Sequence, residues 1–249
     1  MKRFNVNEGI WFAILLGFTY YLYHLISTDK ILVFIHPKML KYIYFSFIVF
    51  MVLSGVQLKR VFRGASRESI KIGYIIFLVP LILGFAVDPT ELSASVAAKK
   101  GVTVSGNNKG SITIEGTERE DILKDGVITV SDENFSYILE ELYKDMERYK
   151  GSKVIITGFI FREPDFKEDE FVIARLLMNC CAADSQVVGL FSRGEVGKNM
   201  DENQWVRVTG TLDVTVYHDP VSGMDSEMPI IHVEEMEEIE KPVNQYVYP

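Results

Sequence analysis

Three stretches of this chain, residues 9–26, 42–58 and 72–87, run for 18, 17 and 16 positions without a single Asp, Glu, Lys or Arg. At about 1.5 Å per helical residue they reach roughly 24–27 Å, slightly under the thickness of a hydrocarbon core. Lys41, Lys59 and Lys71 flank them, and lysine stems can snorkel across the shortfall. None carries the polar stripe that a helix on a soluble core needs. The three stretches therefore read as three transmembrane helices.

Charge divides the chain at the same place. Residues 1–87 hold 10 Lys and Arg against 3 Asp and Glu, whereas residues 88–249 hold 16 against 31. A balance of +7 followed by −15 excludes one soluble globule and implies two environments. The second connection carries Lys59, Arg60, Arg63, Arg67 and Lys71 against Glu68, so the positive-inside bias puts it in the cytoplasm. Lys30, Lys38 and Lys41 oppose this with a smaller excess. Everything after residue 88 is then expected outside the cytoplasm. Because no small-residue cleavage site follows the first stretch, it reads as a retained helix and not a signal peptide. His24 stands near the end of its span, and no ionisable residue stands at mid-span. The helices show no pore chemistry, and suit an anchor in the bilayer or a dock for another membrane protein.

Residues 89–126 read as a tether, with one short strand around 111–114. Residues 127–130 are β-prone. Asp132 then offers an N-cap, and Phe135, Ile138, Leu139, Leu142, Met146 and Tyr149 recur at helical spacing up to Gly151, predicting one packed helix over 132–149. Strands follow at 154–161, 171–178, 186–191, 205–216 and 230–236, with a turn over 218–229. In the fourth, Val206, Val208, Gly210, Leu212, Val214 and Val216 alternate with polar residues, the pattern of a strand with one wet face. Five strands, with Gly158 and Gly210 as bend points, predict a small OB-like β-barrel over 127–249; an immunoglobulin-like sandwich would need more. The expected fold class is an α+β membrane protein. An OB-fold can bind single-stranded nucleic acid, but a half-chain of charge −15 repels phosphates.

Both cysteines lie in Met178-Asn179-Cys180-Cys181-Ala182-Ala183-Asp184. Two cysteines exclude a disulfide scaffold, a multi-cysteine zinc ribbon and an iron–sulfur cluster. Three readings stay open. The thiols could be small buried hydrophobes; they could form a vicinal disulfide; or they could bind a divalent metal such as zinc, with Asp184, His218 and His232 completing the shell. On a continuing strand the thiols would point to opposite faces. A chain reversal at Ala182-Ala183 would bring Cys180, Cys181 and Asp184 together. Alternatively, Asp184 would cap a turn or pair with Arg175. Elsewhere the chain has no GxSxG, no Gly-rich phosphate loop and no Ser/His/Asp set, so it reads as no enzyme.

Three spans, a tether, and then "VITVSDENFSYILEELYKDMERYKG", "KVIITGFIFREPDFKEDEFVIARLLMNCCAADSQVVGLF" and "WVRVTGTLDV" together resemble the bacterial DUF1980 family, most specifically from Phe171 through Arg175 to Cys180, Cys181 and Asp184. The resemblance implies a permease subunit, of a family with no established enzymatic activity, partnered by a multi-spanning permease. The expected function is a membrane-anchored accessory subunit of a two-component permease, presenting an exterior regulatory or ligand-binding domain. The alternative is an anchored extracytoplasmic protein that responds to metal or redox state.

Overall fold

The computed structural model describes residues 5–62, 73–86, 122–124, 126–218, 223, 225–242 and 244–249. The chain forms two compact units, Met1–Leu92 and Ser93–Pro249. The basic connection over 63–72, the expected strand at 111–114 and most of the tether lie outside the described residues.

In the first unit, helix α1 spans Val6–Ser27, α2 Leu40–Val61 and α3 Tyr74–Ala86. The Asn5 side chain caps α1 by accepting from the backbone N–H of Asn7 and Glu8 at 3.1 and 3.4 Å. Gln57 of α2 donates to the Glu8 carboxylate of α1 and, at 3.3 Å, to its carbonyl. The Thr19 and Ser54 hydroxyls meet at 3.3 Å. Trp11 of α1 packs edge-on against Tyr74 and Phe77 of α3, at 5.1 and 5.3 Å between ring centroids. A Cβ at Gly17 would stand 2.6 Å from Leu81, so glycine lets α1 and α3 approach closely. The outward faces are apolar: Phe45 is 67% and Ile76 73% exposed.

Among the described residues two helices, Val6–Ser27 and Pro37–Val61 with its leading 3-10 turn, are long and apolar enough to cross a membrane. Of the third expected span, residues 73–86 are described. Its described helix has 13 residues and contains Pro80, which gives about 20 Å of rise; positions 72 and 87 lie outside the described residues.

The second unit is a mixed sheet. Its strands are β1 Val127–Thr129, β2 Lys153–Phe161, β3 Glu170–Leu177, β4 Gln186–Arg193, β5 Trp205–His218, β6 Asp225–Glu238 and β7 Tyr246–Val247. Strand β2 pairs antiparallel with β5, β5 with β6, and β3 with β4, while β4 and β6 run parallel. Phe159–Phe161 of β2 also pair with Val172–Ala174 of β3, so the ladder β2-β5-β6-β4-β3 returns to its start. Strands β1 and β7 add in parallel to β2 and β3. Gly158 and Gly210 stand where strands crowd: a Cβ on Gly158 would lie 2.5 Å from the Ala174 carbonyl, and one on Gly210 would collide with the His232 carbonyl.

Ile128, Val154, Ile156, Ile160, Ile173, Val206, Val208 and Ile231 are wholly buried in one core. Helix α4, Phe135–Lys144, lays Phe135, Ile138, Leu139 and Leu142 against it. The single helix expected over 132–149 is in fact two. Asp145, at φ −138° and ψ 62°, separates α4 from the single turn α5, Met146–Tyr149. The N-cap position is Asn134, not Asp132. The Asp132 carboxylate instead meets Arg175 Nη1 at 2.7 Å.

Strand β5 keeps its expected alternation only as far as Leu212; Val214 is half-buried and Val216 is 62% exposed. There β5 and β6 continue as a two-stranded arm, and the expected 218–229 turn shrinks because β6 starts at Asp225. Pro229 sits inside β6 opposite Val214, whose N–H turns away to Asp213 Oδ1 at 2.8 Å. The pair is therefore not hydrogen-bonded across the ladder, and a proline there loses no bond. Every residue of β3 is buried, including Glu170, which meets Arg193 Nη2 at 2.7 Å. Burial alone would push the Glu170 carboxyl up, but bonds from the Lys167 N–H, Arg193 and the Lys167 ammonium outweigh it and hold it below the usual range.

Val208 has no exposed surface. Val208→Asp should lower the stability of the second unit by about 3–5 kcal/mol, since a carboxylate there has no partner. Thermal unfolding of the full chain, followed by limited proteolysis, measures this; an unchanged transition would show that position 208 does not face the core.

Candidate functional site

Strand β3 ends at Leu177, and the backbone N–H of Met178 is held by the Val247 carbonyl of β7 at 3.0 Å. Cys181 is extended, and a 3-10 turn over Ala182–Asp184 then reverses the chain into β4. The Asp184 carboxylate organises this turn. Its Oδ2 accepts from the Cys180 N–H at 2.8 Å, and its Oδ1 accepts from the N–H groups of Asn179 and Cys181 at 3.3 and 3.4 Å. In return the Asp184 N–H donates to the Cys181 carbonyl at 3.0 Å, and the Ser185 hydroxyl donates to the Ala182 carbonyl at 2.7 Å. A short side chain that accepts from several backbone N–H groups is what a reversal at a strand end requires.

The turn brings the two thiols to the same side. Cys180 and Cys181 are free, exposed and half-buried respectively, with 3.7 Å between their sulfurs. Both sulfurs and a carboxylate oxygen of Asp184 lie within 4.8 Å of one another. Hydrogen bonding to Asp184, and then to Cys181, pushes the Cys180 thiol up to about 12. Burial pushes Asp184 up, but the Cys180 thiol and the backbone donors outweigh it and hold the carboxyl low. At neutral pH the turn therefore pairs an ionised carboxylate with a thiol that keeps its proton.

The two histidines of the expected set are not brought to this cluster. His218 Nδ1 lies 2.7 Å from Asp225 Oδ1 across the β5–β6 arm. His232 Nε2 lies 3.7 Å from Asp213 Oδ2, an acid that Lys150 also meets at 2.8 Å. Each pairs with an acid on the neighbouring strand. Arg175, the other expected partner of Asp184, is 2% exposed; it pairs with Asp132 and lies 5.0 Å from the Trp205 ring centroid. The β7 clamp on Met178 escaped the sequence reading because two paired residues leave no periodicity.

Asp184→Ala should destabilise the second unit by about 1–2 kcal/mol, the usual cost of losing a side-chain cap. Asp184→Asn keeps an acceptor oxygen and should recover part of that loss. Comparing the melting transitions of the two variants reads this directly; equal transitions would show that the N–H bonds do not hold the turn.

Sequence comparison connects the whole architecture to known proteins. A Bacillus subtilis protein, UPF0703 protein YcgQ, is 23% identical over 94% of this chain and 97% of its own length. A Streptococcus mutans protein named "Putative two-component membrane permease complex subunit" is 22% identical over 70% of this chain and 72% of its own. Among solved structures, the yeast mitochondrial single-stranded DNA binding protein Rim1 aligns with 37% of this chain and 99% of its own at 13% identity and a TM-score of 0.24, a likeness too slight to carry an argument. Family models for the DUF1980 N-terminal domain and the DUF1980 C-terminal domain match residues 10–103 and 108–249. The chain belongs to the DUF1980 family.

Proposed function

We propose that this chain is the membrane-anchored accessory subunit of a two-component permease in a bacterial cell membrane. The observation that carries the reading is the joining of lipid-type helices to a separate folded acidic unit, in a chain whose relative is named as a subunit of such a complex. A subunit needs a partner, and a multi-spanning permease is the partner that these helices suit. Their apolar outer faces match lipid or another membrane helix, and Gln57, Thr19 and Ser54 are already engaged between α1 and α2. In the full span count, α3 is the third crossing.

The basic connection at 59–71 supports a cytoplasmic position for itself and an exterior one for the second unit. There the pairing order of β2 to β6, with the third and fifth strands parallel, supports reading the closed ladder as a small OB-like barrel. Its role is to regulate the permease or present a ligand to it. Glu234, Glu235, Glu237 and Glu238 along β6 make nucleic acid an unsuited ligand. Catalysis plays no part in this reading. The Cys180-Cys181-Asp184 turn favours a second reading, an anchored protein that binds or senses metal without a permease.

Gentle detergent extraction followed by affinity purification of the tagged chain should recover a multi-spanning protein in stoichiometric amount. Recovery of the chain alone would favour the second reading. A periplasm-type reporter enzyme fused after Pro249 should be active; an inactive fusion, with a cytoplasmic-type reporter active at the same position, would overturn the orientation.

A further inference from the structure

We propose that Cys180, Cys181 and Asp184 form a three-ligand site for a thiophilic divalent metal ion of the zinc class, with the fourth coordination position left open. Two thiolates about 2.3 Å from a tetrahedral zinc ion stand roughly 3.8 Å apart. The two sulfurs here stand 3.7 Å apart without any ion, so the turn already has the edge of that tetrahedron. The third corner is an oxygen of Asp184. A carboxylate has about four lone-pair positions. Oδ1 accepts two backbone N–H groups, but Oδ2 accepts only that of Cys180. Oδ2 therefore retains a backbone-free lone pair, and the carboxylate oxygen offered to an ion lies within 4.8 Å of both sulfurs.

The backbone around the site is held before any ion arrives. The carboxylate is fixed by N–H groups from three consecutive residues, and the turn is fastened to β7 through Met178 on one side and leads into β4 on the other. Preorganised ligands spare a metal site the ordering cost that flexible ones incur. Two sulfurs and one oxygen select a borderline-soft ion over magnesium or calcium, which take oxygen alone. Neither histidine belongs to the site, because His218 and His232 are paired with Asp225 and Asp213. Three protein ligands at an exposed turn leave a position for water or for a donor from another molecule, as in sites that exchange what they bind. The binding itself does not depend on a permease; only its use, loading or sensing an ion for that complex, rests on the reading above.

Cobalt(II) provides the test, since thiolate–cobalt bonds absorb in the near ultraviolet and tetrahedral cobalt absorbs strongly in the visible. The full chain in detergent, reduced with a phosphine, should take up one cobalt per chain with both bands, and zinc but not magnesium should displace it. Loss of outer-sphere partners alone costs about 10–100-fold in affinity, so Cys180→Ser and Cys181→Ser should each weaken binding by at least about 100-fold and diminish the ultraviolet band. Asp184→Asn should weaken binding while keeping that band, and His218→Ala with His232→Ala should change neither. Melting transitions of the serine variants within error of the wild type certify that they remain folded; if either unfolds, the corresponding alanine variant replaces it. The proposal is overturned if wild-type chain shows no thiolate–cobalt band at micromolar cobalt, if the band survives in the double serine variant, or if the histidine variants abolish it.

Discussion

The second unit depends on one closure. Three residues of β2, Phe159 to Phe161, pair with Ala174 to Val172 of β3, although both strands already have partners elsewhere. That pairing turns an open row of strands into a ring and buries β3 on both faces. It demands close backbone approach, which is why Gly158 has no side chain opposite the Ala174 carbonyl. With β3 enclosed, its polar residues need partners inside the fold. Glu170 finds Arg193 and Lys167, and Arg175 finds Asp132 and the face of Trp205. These contacts fix the strand lengthwise, and so determine where its end delivers the cysteines.

Much of this was legible in the residues, for identifiable reasons. The period-2 pattern of β5 was visible because that strand has one wet face as far as Leu212, and the glycines at 158 and 210 marked where strands crowd. The apolar stretches were visible because lipid tolerates no charge for many residues in succession. The helix boundary at Asp145 was not, since a break in backbone angle leaves the apolar spacing intact. Nor was the role of Asp132, which looks like a helix cap to anyone unaware that an arginine is buried nearby. The β-prone residues 127–130 do form β1, whereas the two residues of β7 are too few to carry a pattern.

The site shows the same division. Adjacent thiols followed by an acid drew attention to Cys180, Cys181 and Asp184, and the turn brings their ligand atoms within 4.8 Å of one another. Assigning His218 and His232 to them was a guess about distance, and distance depends on register. The β5–β6 ladder instead sets each histidine against an acid of the facing strand. Local spacing could be read across five residues of a turn; it could not be read across the strands of a sheet.

The bond from Met178 N–H to the Val247 carbonyl ties two distant parts of the chain together immediately before the cysteines. Strand β7 is only two residues long and pairs with β3 alone in the sheet, but Val247 is wholly buried in the core and the Ser136 hydroxyl of α4 donates to the Tyr248 carbonyl at 3.1 Å. Peeling it away would release the upstream anchor of the cysteine turn while the ring of strands stayed closed. A change that displaced Val247 would therefore reach the geometry of the two thiols through Met178, without touching either sulfur.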